Sequence, residues 1–274
     1  MIKKQSLKLL SSLTLCLALT TPALAETAEE KGFAIAARSD RSDRGFGDSE
    51  NTATMILRNA QGQESKRVLL QRIKEVPDES LGDKSVIVFE SPADVDGTAL
   101  LSHAKILDPD DQWLYLPALK RIKRISSKNK SGPFVGSEFA FEDFTAQELG
   151  KFDYKYLKSE ACPGNAALTC DVVERFPKYE FSGYTRQITW IDQKDYQVRQ
   201  IDFYDRKNDH LKTLEFQNYK KYSAAGNQNV WRALKMTMKN HQTGKSSDFV
   251  FENYKFDLAL SDNDFEKGTL KRVR

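Results

Sequence analysis

From Asn51 onward the chain reads as short runs in which apolar and polar side chains alternate. The runs are "NTATMILRN", "KRVLLQRI", "KSVIVFE", "TALLSHAKI", "QWLYLP", "KRIKRIS", "KFDYKYL", "CDVVERF", "RQITWID", "YQVRQIDFY", "LKTLEFQNY", "VWRALKMTM" and "DFVFENYKF". Period-two alternation describes antiparallel strands with one apolar face and one wet face. In "RQITWID" it places Ile188 and Trp190 on the apolar face and Gln187 and Thr189 on the other. Joins such as "AQGQ", "DQKD" and "RKND" are short enough for hairpins, so sequence neighbours should pair in an up-and-down order. The pattern predicts a mainly β protein built on a single, highly curved antiparallel sheet. Only the start differs: "ETAEEKGFAIAARSDRSDRGFG" predicts one helix ending at Gly45 to Gly47, with Phe33, Ile35, Ala36 and Ala37 on its apolar side.

One stretch breaks the alternation. "SGPFVGSEFAFEDFTAQEL", Ser131 to Leu149, carries Phe134, Phe139, Phe141 and Phe144, too many for an ordinary solvated loop. Phe141 and Phe144 lie three apart, as on one side of a short helix. Such a segment is expected to lie over something apolar.

The N-terminus changes the charge balance. "MIKK", an apolar run from Leu7 to Leu19 and the small residues Ala23 and Ala25 of "PALA" have the form of a secretory signal, cleaved after Ala25. The run is too short to span a bilayer comfortably. Leu15 before Cys16 does not fit lipoprotein processing. The expected mature domain is residues 26–274. Losing Lys3, Lys4 and Lys8 lowers the formal charge from +3 to 0, which removes any general attraction to nucleic acid or anionic membrane. Cys162 and Cys170 of "CPGNAALTC" remain, and an even cysteine count in an exported chain reads as a disulfide.

Catalytic patterns are absent. His103, His210 and His241 are far apart in sequence, and there is no H-E-x-x-H, G-x-S-x-G or Gly-rich strand-to-helix turn. "TGKSS" has Lys239 where a P-loop needs its first glycine, and "DPDD" lacks the spacing of a calcium loop. Glu138, Glu142 and Asp143 suit the start of a short helix better than a pair of catalytic carboxylates. The sequence therefore predicts no enzyme, no metal and no cofactor.

A curved sheet has a concave face that is either filled or hollow. The side chains available to line it include Met55, Leu57, Trp190, Phe203, Phe216, Leu234, Met236 and Met238. With one long helix to cover about a dozen strands, composition favours a hollow, and methionine suits a cavity of variable filling. A closed core made of the same residues gives the same periodicity.

Four motifs bear on that choice: "DPDDQWLYLPALKRIKRISSKNKSGPFVGSEFAFEDF", "GFGD", "MILRNAQG" and "SPADVDGTALL". Together they resemble the outer-membrane lipoprotein-sorting protein family, the LolA-like periplasmic carriers, in the branch associated with resistance-nodulation-division (RND) type transporters. The resemblance implies an unclosed β-barrel with a helical lid, whose apolar cavity shields acyl chains of a lipid or lipoprotein. It also implies a periplasmic, non-enzymatic monomer with an inner-membrane RND-type transporter as partner. The cysteine loop and the Phe-rich insertion depart from LolA itself. Trp113 and Tyr115 share one face of a strand, Leu114 and Leu116 the other, so at least one pair is expected on the concave wall. Trp113, Tyr115, Phe134, Phe139 and Phe141 thus join the cavity candidates. Lys120, Arg121, Lys123 and Arg124 are expected at a rim, where they either hold a head group or partner or protect a sheet edge from aggregation. The alternative function is a non-enzymatic adaptor of a membrane transporter with a filled core.

Overall fold

Thr27 starts the helix. Its hydroxyl accepts the Glu30 N–H at 3.1 Å while the Glu30 carboxylate accepts the Thr27 N–H at 2.9 Å, a reciprocal cap that satisfies two otherwise unpaired donors. The structure, a computed structural model, describes residues 25–272 except 79, 80 and 146. The expected export signal, apart from Ala25, lies outside the described residues. Helix α1 (Ala28–Ser42) ends short of the predicted glycines. Gly45 and Gly47 instead turn the chain with positive φ and donate their N–H groups to the Glu75 carboxylate at 2.8 and 2.6 Å. Ala37 is buried as expected, whereas Phe33 stays 50% exposed and leans edge-on against Tyr154.

The alternating runs form thirteen strands. They are β1 (Asp48–Arg58), β2 (Glu64–Lys74), β3 (Lys84–Ser91), β4 (Ala99–His103), β5 (Asp111–Leu116), β6 (Arg121–Ile125) and β7 (Phe152–Cys162). After them come β8 (Asn165–Pro177), β9 (Tyr184–Asp192), β10 (Val198–Asp205), β11 (His210–Ser223), β12 (Asn229–Asn240) and β13 (Ser246–Phe256). All belong to one antiparallel sheet in the order β6-β5-β4-β3-β2-β1-β13-β12-β11-β10-β9-β8-β7. Sequence neighbours pair as predicted with one exception: β6 does not pair with β7, and β1 pairs with β13 instead. The sheet is an unclosed barrel whose two edges are β6 and β7, and the Phe-rich segment is the chain that joins those edges.

Helix α1 lies across β7, and Gly32 permits the approach, since a Cβ there would come within 2.7 Å of the Tyr156 nitrogen. On the opposite, outer face the chain beyond β13 folds back over β3, β4 and β5. Asp48 holds it by accepting the N–H groups of Leu258 and Leu260, both at 2.7 Å, and the Phe265 carbonyl bonds the His103 ring at 2.7 Å. Phe265 and Leu270 pack there against Val86, Val88, Ala99 and Leu101. These three strands are therefore apolar on both faces, while Ile87, Phe89, Leu100 and Leu114 point inward to the main core.

Candidate functional site

The Phe-rich segment closes over the barrel with its phenylalanine rings turned into the interior. Phe134 is fully buried, 5.7 Å from Phe89 and 4.5 Å from Phe144 between ring centres, and Phe139 stands edge-on to Phe249 at 5.0 Å. Phe141–Phe144 is a 3-10 turn, as the three-residue spacing suggested. Its acids are ties to the wall. Asp143 accepts a hydrogen bond from Lys212 Nζ at 2.7 Å and from the Tyr184 hydroxyl at 2.7 Å, besides capping the turn at the Ala140 N–H. Glu138 accepts from the Asn240 side chain at 2.7 Å. Glu142 receives the Tyr179 hydroxyl, the Ser182 hydroxyl and the Gly183 N–H, while burial pushes its carboxyl up from the ordinary value. Gly183 is required at this contact, because a Cβ would come within 2.8 Å of the Ser131 side chain. The arrangement has the form of a roof anchored by polar bonds over an apolar interior.

Beside this roof the concave face is hollow. One chamber, of about 320 Å³, is walled by Phe139, Phe144, Phe203, Leu214, Phe216 and Met236. A second, of about 530 Å³, lies between α1 and the sheet and is lined by Phe46, Tyr154, Val198, Tyr219, Trp231 and Tyr254 among others. Gln71, Ile73, Arg175, Ile201, Phe216 and Met236 border both, so the two adjoin. Each volume falls within the range of roughly 300–1,000 Å³ usual for ligand pockets. The wall surface is mainly apolar, but polar and charged side chains such as Gln71, Asp83, Gln147 and Arg175 stand among the apolar ones in both chambers. The polar groups near α1 are mostly engaged: Arg44 pairs with Asp40 and Glu148, both at 3.2 Å, and Arg232 with Asp43. Burial pushes the carboxyls of Glu75, Asp83 and Glu148 up. Among the described residues no three His, Cys, Asp or Glu side chains converge as a metal site, and no helix is long and apolar enough to cross a membrane.

An outer-membrane lipoprotein-sorting protein domain from Vibrio parahaemolyticus, known from its crystal structure, is 48% identical to this chain. The match covers 89% of this chain and all of that one, with a TM-score of 0.83. The chain belongs to the outer-membrane lipoprotein-sorting protein family. A DUF1329 family protein from Desulfovibrio piger is 28% identical over 89% of this chain and 99% of its own, with a TM-score of 0.80. A LolA superfamily protein from Nitrosomonas europaea shares the fold at 18% identity, with a TM-score of 0.66 over 89% of this chain and 99% of its own. The family model that matches residues 82–272 is described as "-like: Uncharacterized protein". No curated protein matches.

In this member of the lipoprotein-sorting family the predicted cavity residues fall into separate groups. Phe139, Phe203, Phe216 and Met236 line the hollow. Met55, Leu57, Phe134, Phe141 and Met238 belong to the packed core around it. Trp113 and Tyr115 belong to the outer face, where they pack under the returning C-terminal chain, and the pair that faces inward is Leu114 and Leu116. Trp190 is also turned away from the hollow, with its indole N–H on Glu160 at 2.8 Å. Its buried neighbours Gln187, Thr189 and Ile191 face the cavity, the reverse of the predicted faces. Leu234 lines neither chamber, although its strand neighbours Ala233 and Met236 do; Asn218, beside it on β11, has a positive φ. Lys120, Arg121, Lys123 and Arg124 are exposed along edge strand β6 or just before it, Arg124 is paired with Asp111, and none of the four lines either chamber. Cys162 and Cys170 form the predicted disulfide across the β7–β8 hairpin. The residue that sequence reasoning missed is Arg175 of "CDVVERF". Its signal was inward parity with Val173, since the register pairs Arg175 with Gln187 and Val173 with Thr189.

Proposed function

We propose that the protein is a periplasmic carrier that shields the acyl chain of a lipid or lipoprotein during transfer towards the outer membrane. The observation that carries this reading is the hollow of two adjoining chambers, walled by Phe203, Phe216 and Met236 and roofed by Phe139 and Phe144. A palmitoyl-length chain exposes about 15 methylenes, and hiding them from water gains roughly 0.8 kcal/mol each, near 12 kcal/mol at most. Unaided passage through water would be slow by that barrier, and a carrier must offset most of it while still letting the chain go. The role needs no cofactor and no bond chemistry, and one monomer supplies a complete cavity. A filled core, as an adaptor acting by contact alone would have, does not suit this geometry.

The kinship with a lipoprotein-sorting domain supports the same reading, as does the export signal expected over residues 1–25. An RND-type inner-membrane transporter is the partner we assign to the carrier, with the exposed cations Lys120, Arg121, Lys123 and Arg124 as a docking edge separate from the cavity. Native mass spectrometry of the protein purified from its own periplasm, followed by organic extraction, tests the function. Acyl cargo at near one-to-one ratio is expected. An empty protein that also fails to bind a fluorescent fatty acid would overturn the carrier and favour the adaptor.

A further inference from the structure

Among the described residues three arginines line the chambers; Arg44 and Arg232 are paired with carboxylates there and Arg175 is not. Arg175 borders both chambers. Its Nε donates to the Gln187 side-chain oxygen at 2.7 Å and its guanidinium lies 4.7 Å from the centre of the Phe152 ring. These two contacts orient the group and leave its terminal nitrogens, the fork that binds carboxylate or phosphate, without an ion-pair partner among the described residues. No nearby acid forms an ion pair with it: Asp143 acts on it only through charge and is hydrogen-bonded to Lys212 and Tyr184, and Glu142 to Tyr179, Ser182 and Gly183. Burial pushes the Arg175 guanidinium down from its ordinary value, so its charge is poorly solvated where it stands.

An independent observation lies on the next strand. Thr189 is 4% exposed, lines the second chamber, and its hydroxyl has no hydrogen-bond partner among the described residues. The register sets Thr189 opposite Val173 and Gln187 opposite Arg175, so Thr189 and Arg175 are diagonal neighbours on the inward face. A buried hydroxyl without a partner is destabilising, and a ligand oxygen accepting from it would remove that cost.

We propose that Arg175, with Thr189, anchors the anionic group of the acyl cargo, a carboxylate or a phosphate, at the junction of the two chambers. This rests on the carrier reading and gives the cargo a chemistry: an acyl chain joined to an anion, with the apolar part in the chamber under the phenylalanines. The anchor fixes which end of the cargo lies deep in the barrel.

Calorimetric titration of the delipidated protein with laurate, dodecyl phosphate and dodecanol tests it. The wild type is expected to bind at least one anion about ten-fold more tightly than dodecanol. Arg175→Gln should bring the affinity for the anions down to that for dodecanol, and a far-ultraviolet circular dichroism spectrum matching the wild type shows the variant to be folded. Thr189→Val should lower anion affinity by about three-fold, and Arg175→Lys should retain part of the preference. Loss confined to laurate identifies a carboxylate, loss confined to dodecyl phosphate identifies a phospholipid-like head group, and loss of both leaves the shared anion site. A wild type that binds dodecanol as tightly as the anions, or an Arg175→Gln variant that keeps the preference, overturns the anchor and leaves the carrier standing. Failure of all three probes overturns both.

Discussion

Lys212 on β11 donates to Asp143 in the roof at 2.7 Å, and both side chains are only 4% exposed. Opposite charges removed from water in this way depend on each other, and deleting one partner strands the other. Lys212→Met is therefore expected to destabilise the protein by about 3–5 kcal/mol in urea unfolding. Hydrogen exchange over residues 131–145 should accelerate beyond that of β1 and β2. Equal acceleration throughout would mean that the pair stabilises the barrel as a whole rather than the roof.

Glu142 supplies a pH dependence of known sign. Burial raises its folded carboxyl above the ordinary 4.5, so the folded state holds the proton more tightly than the unfolded chain does. Stability from this group is fully present below 4.5 and is lost as pH rises through the folded value. Glu75 and Glu148, raised by the same cause, act in the same direction. Denaturant midpoints measured from pH 4.5 upward should fall less steeply in Glu142→Gln than in the wild type. An identical slope would show that Glu142 is ionised in the folded state without cost.

The Cys162–Cys170 bond closes a loop with a sequence separation of 8. Chain entropy gives such a closure roughly 2.5 kcal/mol, an upper figure here because the hairpin already holds the two strands together. The double serine variant should lose up to that amount in urea unfolding. Acyl binding should be unchanged, since neither cysteine lines a chamber.

The two faces of β5 make separable predictions. Trp113 packs on the outer face with Phe265 and Leu270, so Phe265→Ala should cost about 3–5 kcal/mol in stability while leaving acyl affinity intact in whatever fraction is folded. Phe216→Trp should instead narrow the junction of the chambers and weaken binding of long chains more than short ones. A binding defect from Phe265→Ala, measured at a temperature where the variant is folded, would place cargo on the wrong side of the sheet for this account.

Strand positions were legible because alternation is local: each of the thirteen runs became a strand. Which face of a strand is inside was less legible, and β9 shows why. Gln187 and Thr189 point inward because Arg175 and the chambers give them polar or vacant surroundings, while Ile188 and Trp190 face outward over Glu174, Val172 and Glu160. In β5 both faces are apolar, and the choice between Trp113 and Leu114 was made by a C-terminal segment some 150 residues away in sequence. The gap between β6 and β7 was hidden for the same reason, since it depends on β1 finding β13. The four phenylalanines, by contrast, announced buried contact through composition alone, and Phe134 and Phe139 are buried.

The central claim is that an acyl chain lies in the hollow beside the roof. Photocrosslinking with a fatty acid that carries a diazirine at its methyl end, followed by peptide mass spectrometry, tests it most directly. The account predicts labelling of Phe139, Phe144, Phe203, Phe216 or Met236, competed by unlabelled fatty acid. Labelling confined to the outer face around Trp113 or Trp190, or no competed labelling at all, would contradict it.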